Sequence, residues 1–395
     1  MATTAAPTIT DAGPTAPWLA SGFFLAGLGT VLLGPLLPFL SQSWHLSDSQ
    51  SGLLLLTKFV GAFLGGVTVP RKLRVGIFGG MLLACGGFAA FAFATDLFAG
   101  CITLFLGGFG LGQIIASTNI LAGRRYRAHT GSALASLNFF WSLGAVLTGI
   151  LVAALLPPFG LRTPMLWFAG LFLLTGLGCL SRPHTGSHAA PDEPEPALGL
   201  SAGTITFFAF LLFLYGGLET CLTAWITTFT LRFSDLRLLG GQSGVVVLWA
   251  SLTAGRALSS VALRYASERL VQGFGLLLSA VVIAALGYAH HGGLLSLCCI
   301  LLGLGLSPVF PATFALLMRR RPSARTAGFI LAVSGLGAAL FPWLMGVLST
   351  STGSLRIAMS IPWTLAVVLL LLTPLAASNT AFSTPFPLEI KAKLR

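Results

Sequence analysis

Long apolar runs dominate the chain, and short polar segments separate them. A transmembrane helix needs about 20 predominantly apolar residues, because the hydrocarbon core of a bilayer is about 30 Å thick. Twelve runs meet this length, and each predicts one membrane-spanning helix. Numbered as spans 1 to 12, they lie at about 18–40, 51–70, 75–95, 98–122, 131–156, 163–181, 203–230, 243–264, 270–289, 293–318, 326–349 and 356–377.

The composition agrees with this pattern. Only 8% of the 395 residues are charged, whereas soluble globular domains carry roughly 25%, and 55% are hydrophobic. A soluble fold needs a polar exterior that this chain cannot supply. These numbers exclude a soluble enzyme, a disordered chain, a coiled coil and a disulfide scaffold. We therefore predict an all-α membrane protein with twelve transmembrane helices.

The positions of the basic residues predict the orientation. With the N-terminus inside, 16 of the 22 Lys and Arg residues fall in the termini and in loops on the inner side, and four fall in outer loops. Cytoplasmic loops carry an excess of Lys and Arg. Both termini are therefore expected in the cytoplasm, with the chain in the plasma membrane (in bacteria, the inner membrane). The net charge of +12 then reflects loop clusters, so no nucleic-acid partner is expected.

One polar segment divides the spans into two sets of six. Residues 182–202 contain four prolines and three acidic residues, a composition typical of a flexible linker. The predicted organisation is a disordered N-terminal tail (1–17), an N-terminal six-helix bundle (18–181), a cytoplasmic linker (182–202), a C-terminal six-helix bundle (203–377) and a cytoplasmic C-terminal tail (378–395).

The two sets of spans are also related in sequence. Three stretches align in the same order when the chain is shifted by 193 to 195 residues. The matched pairs include Gly108 with Gly303, Gly110 with Gly305, Thr118 with Thr313, Gly61 with Gly255, and Gly144 with Gly337. Internal repeats at one offset indicate a duplicated unit, so we predict two pseudo-symmetric six-helix bundles.

Five segments carry a resemblance to a known family. They are NFFWSLGAVL in span 5, FLYGGLETCLTAWITTF in span 7, LWASLTAGRAL in span 8, GLGLSPVFPATFALL in span 10 and GFILAVSGLGAALFPWLMGVLS in span 11. The chain resembles the major facilitator superfamily over about residues 18–377, and within it the fucose/galactose/glucose–proton symporter branch. The resemblance implies a secondary transporter that works as a monomer by alternating access.

The sequence departs from the family pattern at two places. After span 2, Gly66, Arg71 and Arg74 match the superfamily signature, whereas Pro70 replaces its acidic residue and Leu73 replaces its second glycine. The sugar symporters also tend to carry an acidic residue in span 1 or span 4, and neither span has one here. Arg71 and Arg74 remain gating candidates.

Three ionisable residues lie well within spans: Lys58, Glu219 and Arg256. Each charge at the bilayer centre costs about 2.5–3.5 kcal/mol on insertion scales, so each is expected to face the protein interior. Glu219 is the only carboxyl group within a span, and burial disfavours its ionised form, so it is our candidate for proton coupling. The alternative is a structural ion pair with Lys58 or Arg256.

Lys58 and Glu219 both fall in the outer half of the membrane, which predicts that they pair when the outer side is closed. Arg256 has two interpretations: it binds an anionic group of the substrate, or it stabilises a gate near the cytoplasm. Both interpretations stay open at this point.

Polar and aromatic residues in the central spans supply the substrate-site candidates. An aromatic face stacked on a sugar ring, with amides that bind its hydroxyl groups, makes a plausible sugar site. The alternative is that the aromatic residues only pack between helices. The candidates are Gln113, Asn119, Asn138, Trp141, Tyr215, Trp225, Trp249 and Phe310.

These features predict proton-coupled uptake of a monosaccharide-like solute. Two alternatives stay open: proton-coupled efflux of amphiphilic or drug-like compounds, and transport of an organic anion. No Walker sequence, metal-ligand spacing or catalytic cluster occurs, so we expect a transporter without a cofactor rather than an enzyme. Its expected partners are the solute, protons and the lipid bilayer.

Overall fold

The computed structural model describes residues 17–125, 130–180, 200–235, 238–320 and 322–378, and every regular element within them is helical. We label the helices α1 to α12 after the predicted spans. They are α1 (Pro17–Val31 and Leu33–Ser43), α2 (Asp48–Val67), α3 (Leu73–Phe91), α4 (Leu97–Arg125), α5 (Thr130–Phe159), α6 (Arg162–Leu180), α7 (Ala202–Phe233), α8 (Ser243–Tyr265), α9 (Glu268–Leu286), α10 (Gly292–Leu306 and Val309–Met318), α11 (Ala324–Thr352) and α12 (Ser360–Ser378).

The helices agree with the predicted fold class. Eleven of them are long and apolar enough to cross a bilayer over the residues described, and α6, with 19 residues, occupies the sixth predicted span. A 3₁₀ turn at Leu238–Gly241 precedes α8, and a short helix at Leu355–Ala358 precedes α12. The predicted linker lies almost entirely outside the described residues, as do the tails 1–17 and 378–395 apart from one residue of each.

Proline accounts for the two interrupted helices. In α1, Pro35 has no N–H to donate to the carbonyl of Val31, so the hydrogen-bond ladder is interrupted at Leu32 while the backbone stays helical. In α10, Pro311 has no N–H for the carbonyl of Ser307, and the ladder is interrupted between Leu306 and Val309, again with helical dihedral angles. Both interruptions lie within spans, where they free backbone carbonyl groups that a membrane protein must satisfy internally.

Serine side chains begin four of the helices. Each one lies at the N-cap and accepts a hydrogen bond from the backbone N–H three residues later, which satisfies one of the unpaired amides of the first turn. At α2 the cap is reciprocal, because Gln50 also accepts from the backbone N–H of Ser47. The four capping residues are Ser47, Ser201, Ser267 and Ser323.

The predicted repeat appears as equivalent helix contacts in the two halves. In α4, a Cβ atom at Gly108 would meet the carbonyl oxygen of Lys58 in α2; in α10, one at Gly303 would lie 2.6 Å from the carbonyl oxygen of Leu248 in α8. Gly110 packs in the same way on α3, and its counterpart Gly305 packs on α9.

Two further pairs follow the same rule. Gly61 packs α2 against α4, and its counterpart Gly255 packs α8 against α10. Gly144 packs α5 against α1, and its counterpart Gly337 packs α11 against α7. Small residues let helix backbones approach closely in lipid. The glycines matched in sequence therefore make matched contacts, and the two bundles are pseudo-symmetric.

The halves meet along three helix pairs: α2 with α11, α5 with α8, and α1 with α7. Residues 44–47, between α1 and α2, lie at the end that the charge bias predicts to be extracellular. We call this the outer end and the opposite one the inner end. Trp141 of span 5 and Trp249 of span 8 meet across this interface.

Replacing Gly108 with alanine is expected to destabilise the protein by about 1–3 kcal/mol, because the added methyl group overpacks the contact between α4 and α2. Thermal unfolding of the detergent-purified protein measures the effect. Gly170→Ala is the matched control, since nothing lies within 4 Å of a Cβ atom there. Equal melting temperatures for the two variants would contradict the close contact.

Candidate functional site

A polar cluster joins three helices near the middle of the bundle. Glu219 of α7 accepts two hydrogen bonds at its Oε1 atom: one from the hydroxyl of Tyr215, at 3.1 Å, and one from Nη2 of Arg256 in α8, at 3.4 Å. Nη1 of Arg256 also donates to the hydroxyl of Ser142 in α5, at 2.7 Å. Arg256 therefore connects the carboxylate of the C-terminal half to the N-terminal half.

The ion pair in this cluster is loose. Strong charge-assisted N–H···O⁻ bonds measure about 2.7–2.9 Å, whereas Arg256 and Glu219 are 3.4 Å apart. Their side chains keep 24% and 18% of their accessible surface, so neither is sealed from the interior space. A carboxylate held this loosely can exchange its partner when its charge changes.

Aromatic rings lie on the helices of the cluster and on α10. Trp141 and Trp249 meet edge to face across the α5–α8 interface, with ring centroids 5.3 Å apart. On the other side, the ring of Tyr215 lies 6.0 Å from that of Phe310, which stacks on Phe314. Trp141 directly precedes Ser142 on α5, and Tyr215 itself bonds to Glu219, so apolar rings flank the polar groups along these helices.

Trp249 also offers an unused donor. The residue is 2% exposed, and within the described structure its indole N–H has no hydrogen-bond partner. A buried donor left unpaired costs about 1–3 kcal/mol. A solute with an acceptor at this point would remove that cost.

Lys58 lies elsewhere. It is 1% exposed, its ammonium group donates to the backbone carbonyl oxygen of Thr30 in α1, and its nitrogen lies 5.0 Å from the ring centroid of Phe59. The predicted pair between Lys58 and Glu219 is therefore wrong for this structure. The two halves of the protein are in contact at the outer end, but the Glu219 carboxylate still contacts Arg256 and Tyr215 rather than Lys58. The backbone of Lys58 packs on α4, and its side chain extends to α1.

The three amide candidates of the N-terminal half lie on α4 and α5. Gln113 is buried against α3, with its Cβ atom 3.1 Å from a Cβ position built on Gly80, so we interpret it as a packing residue. Asn119 is half-buried on α4. Asn138 is exposed on α5, one turn before Ser142. The roles of Asn119 and Asn138 stay predictions.

The gating candidates after span 2 lie at the inner end. Arg71 is exposed in the loop between α2 and α3. Arg74 is half-buried at the start of α3, and its guanidinium lies over the indole ring of Trp18, 5.9 Å from the ring centroid. This contact connects α3 to the first turn of α1 within the N-terminal half. A gating role for either arginine stays a prediction.

Trp225 is a site candidate that the structure places nearer the outer end. The ring is fully buried, and its N–H donates to the carbonyl oxygen of Pro342 in α11 at 3.0 Å. It lies almost two helical turns beyond Glu219 along α7. Trp225 therefore belongs to a separate region from the central cluster.

Sequence reasoning missed a group of residues at that outer end. Asp48 of α2 forms a bidentate pair with Arg232 of α7, with both N···O distances 2.6 Å, and accepts from the hydroxyl of Ser349 in α11 at 2.6 Å. We call these three residues the outer latch. The ends of spans carry many charges, so nothing in the sequence marked Asp48 and Arg232, 184 positions apart, as partners.

Two more hydrogen bonds join the halves at the outer end. The backbone N–H of Ser49 donates to the hydroxyl of Thr350 at 2.8 Å. The side chain of Gln242, at the N-cap of α8, donates to the carbonyl oxygen of Pro35 in α1 at 3.0 Å. With the outer latch, these bonds hold the outer ends of α1, α2, α7, α8 and α11 together.

Comparisons with known proteins place this geometry in context. A family model described as Major Facilitator Superfamily matches residues 19–327. A glucose/galactose transporter of Brucella abortus is 26% identical over 369 residues, which cover 84% of this chain and 86% of that protein. The 4-hydroxybenzoate transporter PcaK of Acinetobacter baylyi is 31% identical over 159 residues, only 39% of this chain and 33% of that protein.

The fold also matches solved structures. The partially occluded inward open form of the xylose transporter XylE from E. coli superposes with a TM-score of 0.74 at 14% sequence identity, and the match covers 91% of this chain and 96% of that chain. Identity this low supports the fold alone.

Proposed function

Because this chain belongs to the major facilitator superfamily, we propose that it is a proton-coupled transporter that takes up a monosaccharide-like solute. The family model covers most of the chain, so the chain is a membrane transporter rather than an enzyme. The sugar substrate, the direction and the proton coupling are our proposal. The central cluster of Tyr215, Glu219, Arg256 and Ser142 is the observation that carries it.

The cluster has the chemistry that coupling requires. When Glu219 takes up a proton, its carboxyl group loses the Coulomb attraction to Arg256, while Arg256 keeps its bond to Ser142 in the other half. Protonation therefore weakens the connection between α7 and α8 and changes how Arg256 is shared between the halves. A transporter whose halves move around a mid-membrane site can use that change to couple a proton to the solute.

The surroundings of the cluster favour a hydroxylated ring. Trp141, Trp249 and Phe310 present apolar faces, and the indole N–H of Trp249 is a free donor within the described structure. Serine, tyrosine and arginine groups supply further hydrogen bonds to hydroxyl groups. The alignment with the glucose/galactose transporter over 84% of the chain supports the same class of substrate.

An aromatic carboxylate is the second candidate substrate. Arg256 can bind a carboxylate, and the local 31% match is to a 4-hydroxybenzoate transporter. The two substrates make different demands on Arg256: a carboxylate replaces Glu219 as its partner, whereas a neutral sugar leaves the pair in place. We favour the sugar because the longer alignment supports it.

Uptake into proteoliposomes tests the substrate class. With an inward proton gradient, we expect accumulation of radiolabelled glucose or galactose, with little accumulation of 4-hydroxybenzoate. Empty liposomes and vesicles treated with a protonophore are the controls. Accumulation of 4-hydroxybenzoate without either sugar would replace the first candidate with the second.

A further inference from the structure

A small cleft lies at the outer end, apart from the central cluster. Its volume is about 190 Å³, and residues of α1, α2 and α7 line it. The lining includes Gln42, Asp48, Ser51, Trp225, Thr228 and Arg232. The cleft is therefore built from both halves, and two members of the outer latch form part of its wall.

Two hydroxyl groups in this lining have no partner. Ser51 of α2 is 1% exposed and Thr228 of α7 is 6% exposed, and neither hydroxyl oxygen makes a hydrogen bond within the described structure. An unpaired buried polar group costs about 1–3 kcal/mol. One hydroxyl comes from each half, so a ligand that hydrogen-bonds to both would satisfy two unpaired groups and connect the halves.

The remaining lining restricts the chemistry of that ligand. The ring of Trp225 supplies an apolar wall, because its N–H is already used by Pro342. Asp48 and Arg232 neutralise each other, so the wall has no net charge to attract an ion. The volume exceeds the roughly 30 Å³ of one water molecule several-fold. These features fit an uncharged, hydroxylated ring with one apolar face.

We propose that this cleft is a second monosaccharide site, distinct from the central one and complete only while the outer end is closed. The inference rests on the proposed function, since it takes the same class of ligand. A sugar bound there bridges Ser51 and Thr228 and favours the closed outer end. Opening the outer latch separates the two halves of the site and releases the sugar.

The first test counts bound sugar. Equilibrium dialysis of the purified protein with radiolabelled glucose and galactose is expected to give two bound molecules per chain, whereas the double variant Ser51→Ala, Thr228→Val is expected to give one. Ser243→Ala is the matched control, because Ser243 also has a buried hydroxyl without a partner but does not line the cleft. It should keep both sites.

The second test needs no loss of a hydroxyl group and so does not depend on how the double variant folds. In a Gln42→Cys variant, we expect a polar thiol reagent to react about tenfold more slowly at a sugar concentration ten times the Kd, because about a tenth of the sites are then free. His291→Cys is the control, since His291 is exposed at the outer end and is not part of the lining.

The outcomes separate this inference from the proposed function. If the wild type and the double variant each bind one sugar, and sugar does not slow the labelling of Gln42→Cys, the outer site is wrong and the central site is unaffected. No bound monosaccharide in the wild type would overturn both. If the double variant binds one sugar fewer than the wild type and Ser243→Ala, and sugar slows the labelling of Gln42→Cys, the outer site is supported.

Discussion

Replacing Glu219 with glutamine is expected to abolish accumulation of sugar against its gradient while exchange of sugar across the membrane continues. Glutamine keeps the size and can accept the hydrogen bond from Tyr215, but its amide cannot take up or release a proton. With one proton per sugar, a pH difference of one unit supports about tenfold accumulation, since 1.4 kcal/mol corresponds to a factor of ten. In the variant, this ratio should fall to about one.

Proteoliposomes with an imposed pH gradient give the accumulation ratio, and counterflow with sugar on both sides gives the exchange rate. Glu268→Gln is the matched control, because Glu268 pairs with Arg319 at the inner end of α9 and lies outside the cluster. It should accumulate sugar like the wild type. Full accumulation by Glu219→Gln would show that a group other than Glu219 carries the coupled proton.

Replacing Asp48 with asparagine is expected to open the outer end. The change removes the bidentate pair with Arg232 and weakens the hydrogen bond from Ser349. Each of these interactions connects α2 of the N-terminal half to a helix of the C-terminal half. Hydrogen bonds to charged groups contribute roughly 1.5–3 kcal/mol, and partial exposure of Arg232 reduces this value, so we expect about 1–2 kcal/mol. That corresponds to a change of about 5- to 30-fold in the ratio of closed to open molecules.

Spin labels at Gln42 and Leu238, exposed residues of opposite halves, measure this shift as a distance distribution. The population with a long distance should grow in Asp48→Asn. Asp235→Asn is the control, because Asp235 accepts from the backbone N–H of Gly292 within the C-terminal half. Identical distributions for the wild type and Asp48→Asn would mean that the outer latch does not set the conformation.

The fold was predictable because the bilayer imposes strong constraints on a sequence. Apolar runs of the required length gave the twelve helices, and matched glycines gave the repeat. Gly108 and Gly303 show why this works: close backbone contact admits no side chain, so the need for glycine is visible in the sequence itself.

The site was predictable only in part. Glu219 and Arg256 stood out because charges are rare within spans, and the structure brings them together. Which face of a helix meets which neighbour is less visible. Gln113 faces α3 rather than the cluster, and Lys58 uses a carbonyl group as its partner rather than a carboxylate. Partner choice depends on helix rotation, which hydropathy does not encode.

The outer latch shows a second limit. Asp48 and Arg232 lie at the ends of spans, where charged residues are common and carry no distinguishing signal. Only the crossing of α2, α7 and α11 brings them and Ser349 together. The same crossing places Trp225 beside the outer cleft, although its sequence position indicated a central site candidate.

Proton movement during sugar uptake tests the central claim most directly. Proteoliposomes in a weakly buffered medium, with an external pH electrode, should alkalinise the medium when galactose or glucose is added, because each sugar carries a proton inward. A protonophore should abolish the signal, and Glu219→Gln should not produce it. Sugar uptake without any change of external pH would contradict proton coupling.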